Sequence, residues 1–504
     1  MKIVAQLAIV LTSAVVVSVV AWAAAVPAIE VFLQAGQPRA VESQAALREL
    51  GAAWRNGYTS MLVDLARQMT PLPSVTDLPD SDGSATSARG RDNPDGGEVR
   101  PSNKAPENVP GISAALTPVQ LSRQRITQFL EKQTKQKFGD DMGKWRRWFW
   151  SLPYDPHPDY AEFKARAYSA IDPRMAAFFP PKVKAEIRLD EVDWGGVTVN
   201  GIPPLVYPKT ISAHDATYLK DSNIVFGIAV NGEARAYPKR ILAWHEMARD
   251  RIGGVELTVV YCTLCGTVLP YESIVGGKLR VLGTSGLLYR SNKLMFDEET
   301  NSLWSTLEGK PVVGALTGSG LELQVRSSVT TTWKEWREAH PNTTVLSLDT
   351  GYKRDYNEGV AYHDYFATDK IMFEVPALDT RLKNKAEVLV ALLDDPAGGK
   401  KQALAIAADL LRKYSVYPVS AAGKSLVVVT SASGANRMYD AGTVRFSEQP
   451  RGKPIADAGG VPWTATEEAL TADDASGRKL PRVPANRAFW FGWQAQFPNT
   501  ILLK

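Results

Sequence analysis

The chain has 504 residues, 44% of them hydrophobic and 22% charged, with a formal net charge of only +4. This length can bury a large core spread over several domains, and without a Lys/Arg block no nucleic-acid partner is expected. Cys262 and Cys265 are the only two cysteines, which excludes a disulfide-stapled scaffold.

Residues Ile3 to Ile29 carry no charged side chain. A helix needs about 20 apolar residues to cross the hydrocarbon layer. Residues 1–30 therefore read as a membrane anchor, with a cleaved signal as the alternative because Ala23-Ala24-Ala25 and Ala28 offer small residues to a peptidase. Either way the rest of the chain is expected on the extracytoplasmic, periplasmic side, anchored or secreted. The membrane is the expected partner through this helix, and no protein partner is indicated.

Residues 31–70 read as helical. From Ser43 to Met69, Leu47, Leu50, Trp54, Tyr58 and Leu62 recur at helical spacing. Residues 71–112 are rich in Pro, Gly, Ser, Asp and Asn and read as a disordered linker. Residues 113–188 read as a helical region. Thr117-Pro118 is a cap followed by proline at the first helical position. Ile126, Phe129 and Leu130 then form an apolar stripe, and Trp145, Trp148, Phe149 and Trp150 an aromatic core cluster ended by Pro153. A second helix is expected over 160–170.

From about Leu189 the pattern changes to short strands, such as Ile224–Val230, Val255–Tyr261 and Lys278–Leu282. Helical pieces are expected over 240–249 and 332–339. Trp333-Lys-Glu-Trp336-Arg-Glu-Ala-His-Pro341-Asn-Thr343 returns with the same spacing as Trp490-Phe-Gly-Trp493-Gln-Ala-Gln-Phe-Pro498-Asn-Thr500. Trp304 and Trp463 lie at comparable distances upstream, and Leu257 to Glu272 aligns with Leu426 to Asp440 across one gap. The expected fold class is α+β and β-rich. Two related lobes from an internal duplication, 189–375 and 376–504, follow the membrane helix and the small helical region.

The chemistry centres on Tyr261-Cys262-Thr-Leu-Cys265-Gly266. Haem attachment needs His after the second Cys, and Gly266 stands there. A thioredoxin-like site needs a helix after the first Cys, whereas Thr267 onward reads as strand and turn. A metal knuckle, a structural disulfide and inert thiols remain open. For a metal, His245 is the best third ligand and Met295 a soft fourth, favouring Cu over Zn. The Gly283-Thr-Ser-Gly286 segment reads as a turn before Tyr289, Arg290 and Asn292, whose polar groups would line a pocket with Tyr261. Arg354, in the Tyr-rich Thr350–Tyr356 tract, reads as a solvated loop residue or a ligand contact.

Phe226-Gly-Ile-Ala-Val-Asn-Gly-Glu-Ala-Arg-Ala-Tyr-Pro238, Trp244-His245-Glu246, Tyr261–Gly266, Ser285-Gly-Leu-Leu-Tyr289 and Thr350-Gly-Tyr-Lys-Arg-Asp-Tyr356 resemble the bacterial and archaeal family called domain of unknown function 3179. The likeness runs from about Leu189 to Leu502 and departs at His363 and between Trp463 and Trp490. It implies a shared fold and carries no established activity. The expected function is a membrane-tethered protein binding a soft metal, Cu or Zn, through Cys262, Cys265 and His245. The alternatives are an extracytoplasmic thiol-redox or small-ligand enzyme, with the ligand near Tyr289–Asn292, and a scaffold for a partner protein.

Overall fold

The computed structural model describes residues 26–69, 116–395 and 398–504. The expected anchor lies outside these residues up to position 25, and the expected linker over 71–112 lies wholly outside them. Among the described residues no helix is long and apolar enough to cross a membrane. The end of the expected anchor belongs to the folded body instead. His157 Nε2 donates to the Pro27 carbonyl at 2.8 Å, and Ile29, 5% exposed, opens a helix of the core.

Residues 29–69 form three short helices. They are α1 (Ile29–Ala35), α2 (Ala40–Ala52) and α3 (Thr59–Gln68). The break before α3 falls at Asn56-Gly57. There the backbone passes so close to the Asp155 carbonyl that a Cβ on Gly57 would sit 1.8 Å from its oxygen. Next come α4 (Pro118–Thr134), α5 (Met142–Trp150) and α6 (Tyr160–Ser169). Thr117 caps α4 as expected, accepting from Gln120 N while Gln120 Oε1 accepts from Thr117 N. Trp145, Phe149 and Trp150 join Phe32, Leu62 and Phe163 in one core that continues onto Leu287 and Phe296 of the sheet below. Buried Asp193 locks the layers together, accepting from Arg146 at 2.5 and 2.6 Å and from Arg67.

The first β-rich lobe is built from β1 (Ile224–Val230), β2 (Glu233–Pro238), α7 (Lys239–His245), β3 (Met247–Ile252), β4 (Val255–Cys262), β5 (Thr267–Glu272), β6 (Leu282–Tyr289), β7 (Asn292–Asp297), β8 (Val329–Thr332), α8 (Trp333–Ala339) and β9 (Thr344–Leu346). Helix α9 (His363–Phe366) lies in the connection. The second lobe is built from β10 (Glu387–Leu393), β11 (Gln402–Ala407), α10 (Ala408–Leu411), β12 (Tyr414–Ala421), β13 (Lys424–Thr430), β14 (Asn436–Asp440), β15 (Asn486–Phe489), α11 (Trp490–Gln496) and β16 (Ile501–Leu503). The fold is β-rich α+β with two half-barrel sheets. The order β8-β1-β2-β9 recurs as β15-β10-β11-β16, with the last pair parallel in both. The meander β3-β4-β5 recurs as β12-β13-β14. Residues 247–249, expected as helix, are strand, and Gly283–Gly286 is a bulged stretch of β6 rather than a turn.

Trp333 and Trp490 open α8 and α11 directly after β8 and β15, and each helix carries its second Trp one turn on. All four rings are buried. Trp304 and Trp463 also lie in short strands, but with different neighbours, Met295 and Ala472. Trp336 lies flat against Gly227 of β1, where an added Cβ would meet ring carbons at 2.2 Å. Gly227→Ala is expected to cost about 1–3 kcal/mol by overpacking, read as a lowered urea midpoint. An unchanged midpoint would show that Trp336 can move aside freely.

Each lobe lends its helix to the other. Helix α11 sits on the β4–β5 turn: Phe489 N donates to Cys265 O at 2.8 Å, and a Cβ on Gly492 would come within 2.7 Å of Cys265 Cβ. Helix α8 sits on the β13–β14 turn, where Glu335 accepts from Ser431 Oγ at 2.6 Å.

Candidate functional site

Helix α7 buries Ile241, Leu242, Trp244 and His245, and it ends at Glu246 in the left-handed region, φ 54°. The chain then runs up β3, turns at Gly253-Gly254 and returns along β4, so that Tyr261 N donates to Glu246 O at 2.9 Å. Consecutive side chains across a left-handed residue point apart. His245 and Glu246 accordingly enter two different polar networks.

His245 is fully buried. Its Nδ1 donates to the Pro203 carbonyl at 2.9 Å, because a carbonyl only accepts. Nε2 is then the acceptor and takes the Tyr356 hydroxyl at 2.6 Å. Tyr356 Oη in turn accepts from Thr350 Oγ1 at 2.6 Å. Burial, helped by the nearby Arg354 charge, brings the His245 pKa down to about 4, so the ring is neutral at pH 7. Trp244 Nε1 donates to Asp355 O at 2.8 Å, and Arg240 donates to Tyr218 O at 3.0 Å and to Tyr356 O. These bonds pin the 350–357 loop over α7. Between them opens a cleft of about 840 Å³ lined by Arg240, Trp244, Tyr352, Lys353, Arg354 and Tyr356, among others. Arg354 Nη1 donates to Lys353 O at 3.1 Å, while its Nε is buried without a partner.

Glu246 points the other way, onto the cysteine turn. One carboxylate oxygen accepts from Thr263 Oγ1 and from the Tyr362 hydroxyl at 2.8 Å. The other pairs with Lys293, and both side chains are under 10% exposed. Burial pushes the Lys293 ammonium pKa down, and the Glu246 charge opposes this. Burial also pushes the Tyr362 hydroxyl pKa up. Tyr365 Oη donates to Leu264 O at 2.6 Å. One loop thus delivers Tyr356 to His245, Tyr362 to Glu246 and Tyr365 to the cysteine turn.

The expected metal set is not assembled. Cys262 and Cys265 are joined in a disulfide, and both are essentially fully buried among Leu264, Leu288, Tyr362, Tyr365 and Phe373. A thiol tied up in a disulfide is not a thiolate ligand. His245 spends both ring nitrogens on Pro203 and Tyr356. Met295 is in the core with Met247, Leu282 and Trp304, because both faces of β7 are buried. Among the described residues no three His, Cys, Asp or Glu side chains are grouped to hold a metal ion.

The expected Tyr289–Asn292 pocket is instead a structural joint. Arg290 pairs with Glu191 and donates to Ala495 O at 2.9 Å, with its guanidinium over the Tyr289 ring. Asn292 Nδ2 donates to Gly492 O at 3.0 Å. Arg354 does line the cleft on α7, and Tyr261 lines a separate cavity between the lobes. His363 is at the surface, with Nδ1 donating to Gly359 O at 3.2 Å.

A family model described as Protein of unknown function (DUF3179) matches residues 199–500, more than half of the chain. The chain belongs to the DUF3179 family. Neither the curated proteins nor the solved structures gave a match. The stretches of this DUF3179 chain singled out in the sequence, Trp244–Glu246, Tyr261–Gly266 and Thr350–Tyr356, meet around the end of α7. Glu246, Lys293, Thr263 and Tyr362 were not foreseen as a group. Lys293 had one readable signal, a cation at the head of the apolar Leu294-Met295-Phe296 run of β7, which a buried strand tolerates when the charge is paired.

Proposed function

We propose that the chain is an extracytoplasmic protein, held at or exported across a membrane by its N-terminal apolar segment, that binds a small anionic ligand in the cleft over Tyr356. The observation that carries this reading is the preorganised cationic loop. Neutral His245, Tyr356 and Thr350 form a hydrogen-bonded chain that fixes the loop, and Arg240, Lys353 and Arg354 line the cleft with Asp355 as the one carboxylate among its described lining residues. In this reading His245, Tyr356 and Thr350 are positioning residues. Arg354 and Lys353 contact the ligand, and the exposed Tyr352 ring offers it an apolar face. The Cys262–Cys265 disulfide supports an oxidising compartment outside the cytoplasm. The recurring strand order supports an internal duplication, with Ser431 and Gly434 standing where the first lobe has its cysteines.

The test is thermal unfolding of the intact protein in phosphate and pyrophosphate at constant ionic strength. A saturable rise in midpoint is expected, following the linkage between ligand and folded state. Arg354→Gln should weaken the apparent affinity about tenfold or more, the worth of one charge-assisted hydrogen bond. No rise with either anion, or a rise indifferent to Arg354→Gln, would overturn the reading.

A further inference from the structure

A second cavity, of about 220 Å³, lies where the two exchanged turns meet, and Gly266 of one and Gly434 of the other both line it. Its charged lining is Lys239, Arg412, Arg487 and Glu387. Arg487 is satisfied, donating to Asn436 Oδ1, Glu387 Oε2 and Gly434 O at 2.8, 2.7 and 2.7 Å. Arg412 pairs with Asp409 and Glu387.

Two groups are left over. The Lys239 ammonium has no carboxylate within ion-pair distance among the described residues and rests against the Phe366 ring, 4.3 Å from its centroid. Tyr261 is 1% exposed, and its hydroxyl has no hydrogen-bond partner among the described residues. A hydroxyl and a cation that line one cavity without a protein partner mark a place for an acceptor. Phe226 and Phe489 supply apolar walls. The volume suits a small molecule and not a polymer.

We propose that this cavity is a second binding site, for a small organic monocarboxylate. Its carboxylate accepts from Lys239 Nζ and from the Tyr261 hydroxyl, and its apolar body lies against Phe226 and Phe489. The site is independent of the Tyr356 cleft. Because both lobes line it, the ligand would clamp them together.

The experiment titrates acetate, butyrate and benzoate against the intact protein at constant ionic strength, with chloride as the control, by calorimetry and thermal unfolding. At least one carboxylate is expected to bind and raise the midpoint. Tyr261→Phe should leave the unliganded midpoint unchanged or higher, since it removes an unpartnered hydroxyl, yet weaken binding about tenfold or more. Lys239→Met should abolish binding, and Arg354→Gln in the other cleft should leave it intact. If Lys239→Met does not fold, Tyr261→Phe decides alone. The proposal is overturned if none of the three carboxylates binds, if binding survives Tyr261→Phe undiminished, or if Arg354→Gln removes it.

Discussion

Replacing Lys293 by methionine is expected to cost about 3–5 kcal/mol of stability, the usual penalty for stripping one partner from a buried ion pair. The Lys293 and Glu246 side chains are 8% and 6% exposed, so water cannot replace the lost cation. Thr263 and Tyr362 would still donate to the orphaned carboxylate, but two neutral hydroxyls do not balance a buried charge. The readout is the urea midpoint at pH 7 with an unchanged slope. Adding Glu246→Gln to Lys293→Met should recover much of the loss, because the double variant buries no net charge. A single-variant loss under about 1 kcal/mol, the range of exposed pairs, would mean that the site is wetter than its burial indicates.

Acid should weaken the fold through His245. Its pKa is about 4 in the folded chain against 6.5 for an unperturbed imidazole, with burial as the main cause. Between these values the unfolded chain binds a proton that the folded chain refuses. Stability therefore rises with pH from about 4 to 6.5, and it is lost as pH falls through that window. The gap corresponds to about 3 kcal/mol, at 1.36 kcal/mol per pH unit. Below pH 4 this contribution flattens. His245→Gln should show a shallower slope over the same window in urea midpoints measured by pH. An identical slope in the variant would assign the acid sensitivity to other groups. Protonation also turns Nε2 from acceptor to donor, so the Tyr356 bond must reverse. The folded ring takes that proton only near pH 4, so ligand binding in the cleft should fall as pH drops through about 4.

Much of the β-rich part was legible because its signals are local. The Ile224–Val230 and Val255–Cys262 strands follow apolar runs bounded by Asn, Gly and turns, and the Trp-x-x-Trp segments fell on matching helices. The site was harder for three physical reasons. Helix α7 ends in a left-handed residue, so the neighbour delivered to the cysteine turn is Glu246 and not His245. The Tyr356–Tyr365 loop reaches α7 and the cysteine turn from more than 90 residues away, and its pairings leave no periodic trace. Finally, a Cys-x-x-Cys spacing suits a metal, a disulfide or two thiols alike. Only the burial around Cys262 and Cys265 and their pairing distinguish these readings. Met295 lies in the core because both faces of its strand are covered, which a soft side chain between Leu294 and Phe296 does not reveal by itself.

The loan of α11 to the β4–β5 turn imposes an order on biosynthesis. The roof over Cys265 is made by Phe489 and Gly492, which are synthesised more than two hundred residues after the turn they cover. Until they arrive, the cysteine turn has no cover from that side, leaving Cys265 the more open. Once the C-terminal helix docks, the pair is closed off. A molecule lacking α11 would therefore expose a disulfide that the finished molecule covers, and its faster reduction by a small thiol would report the missing roof.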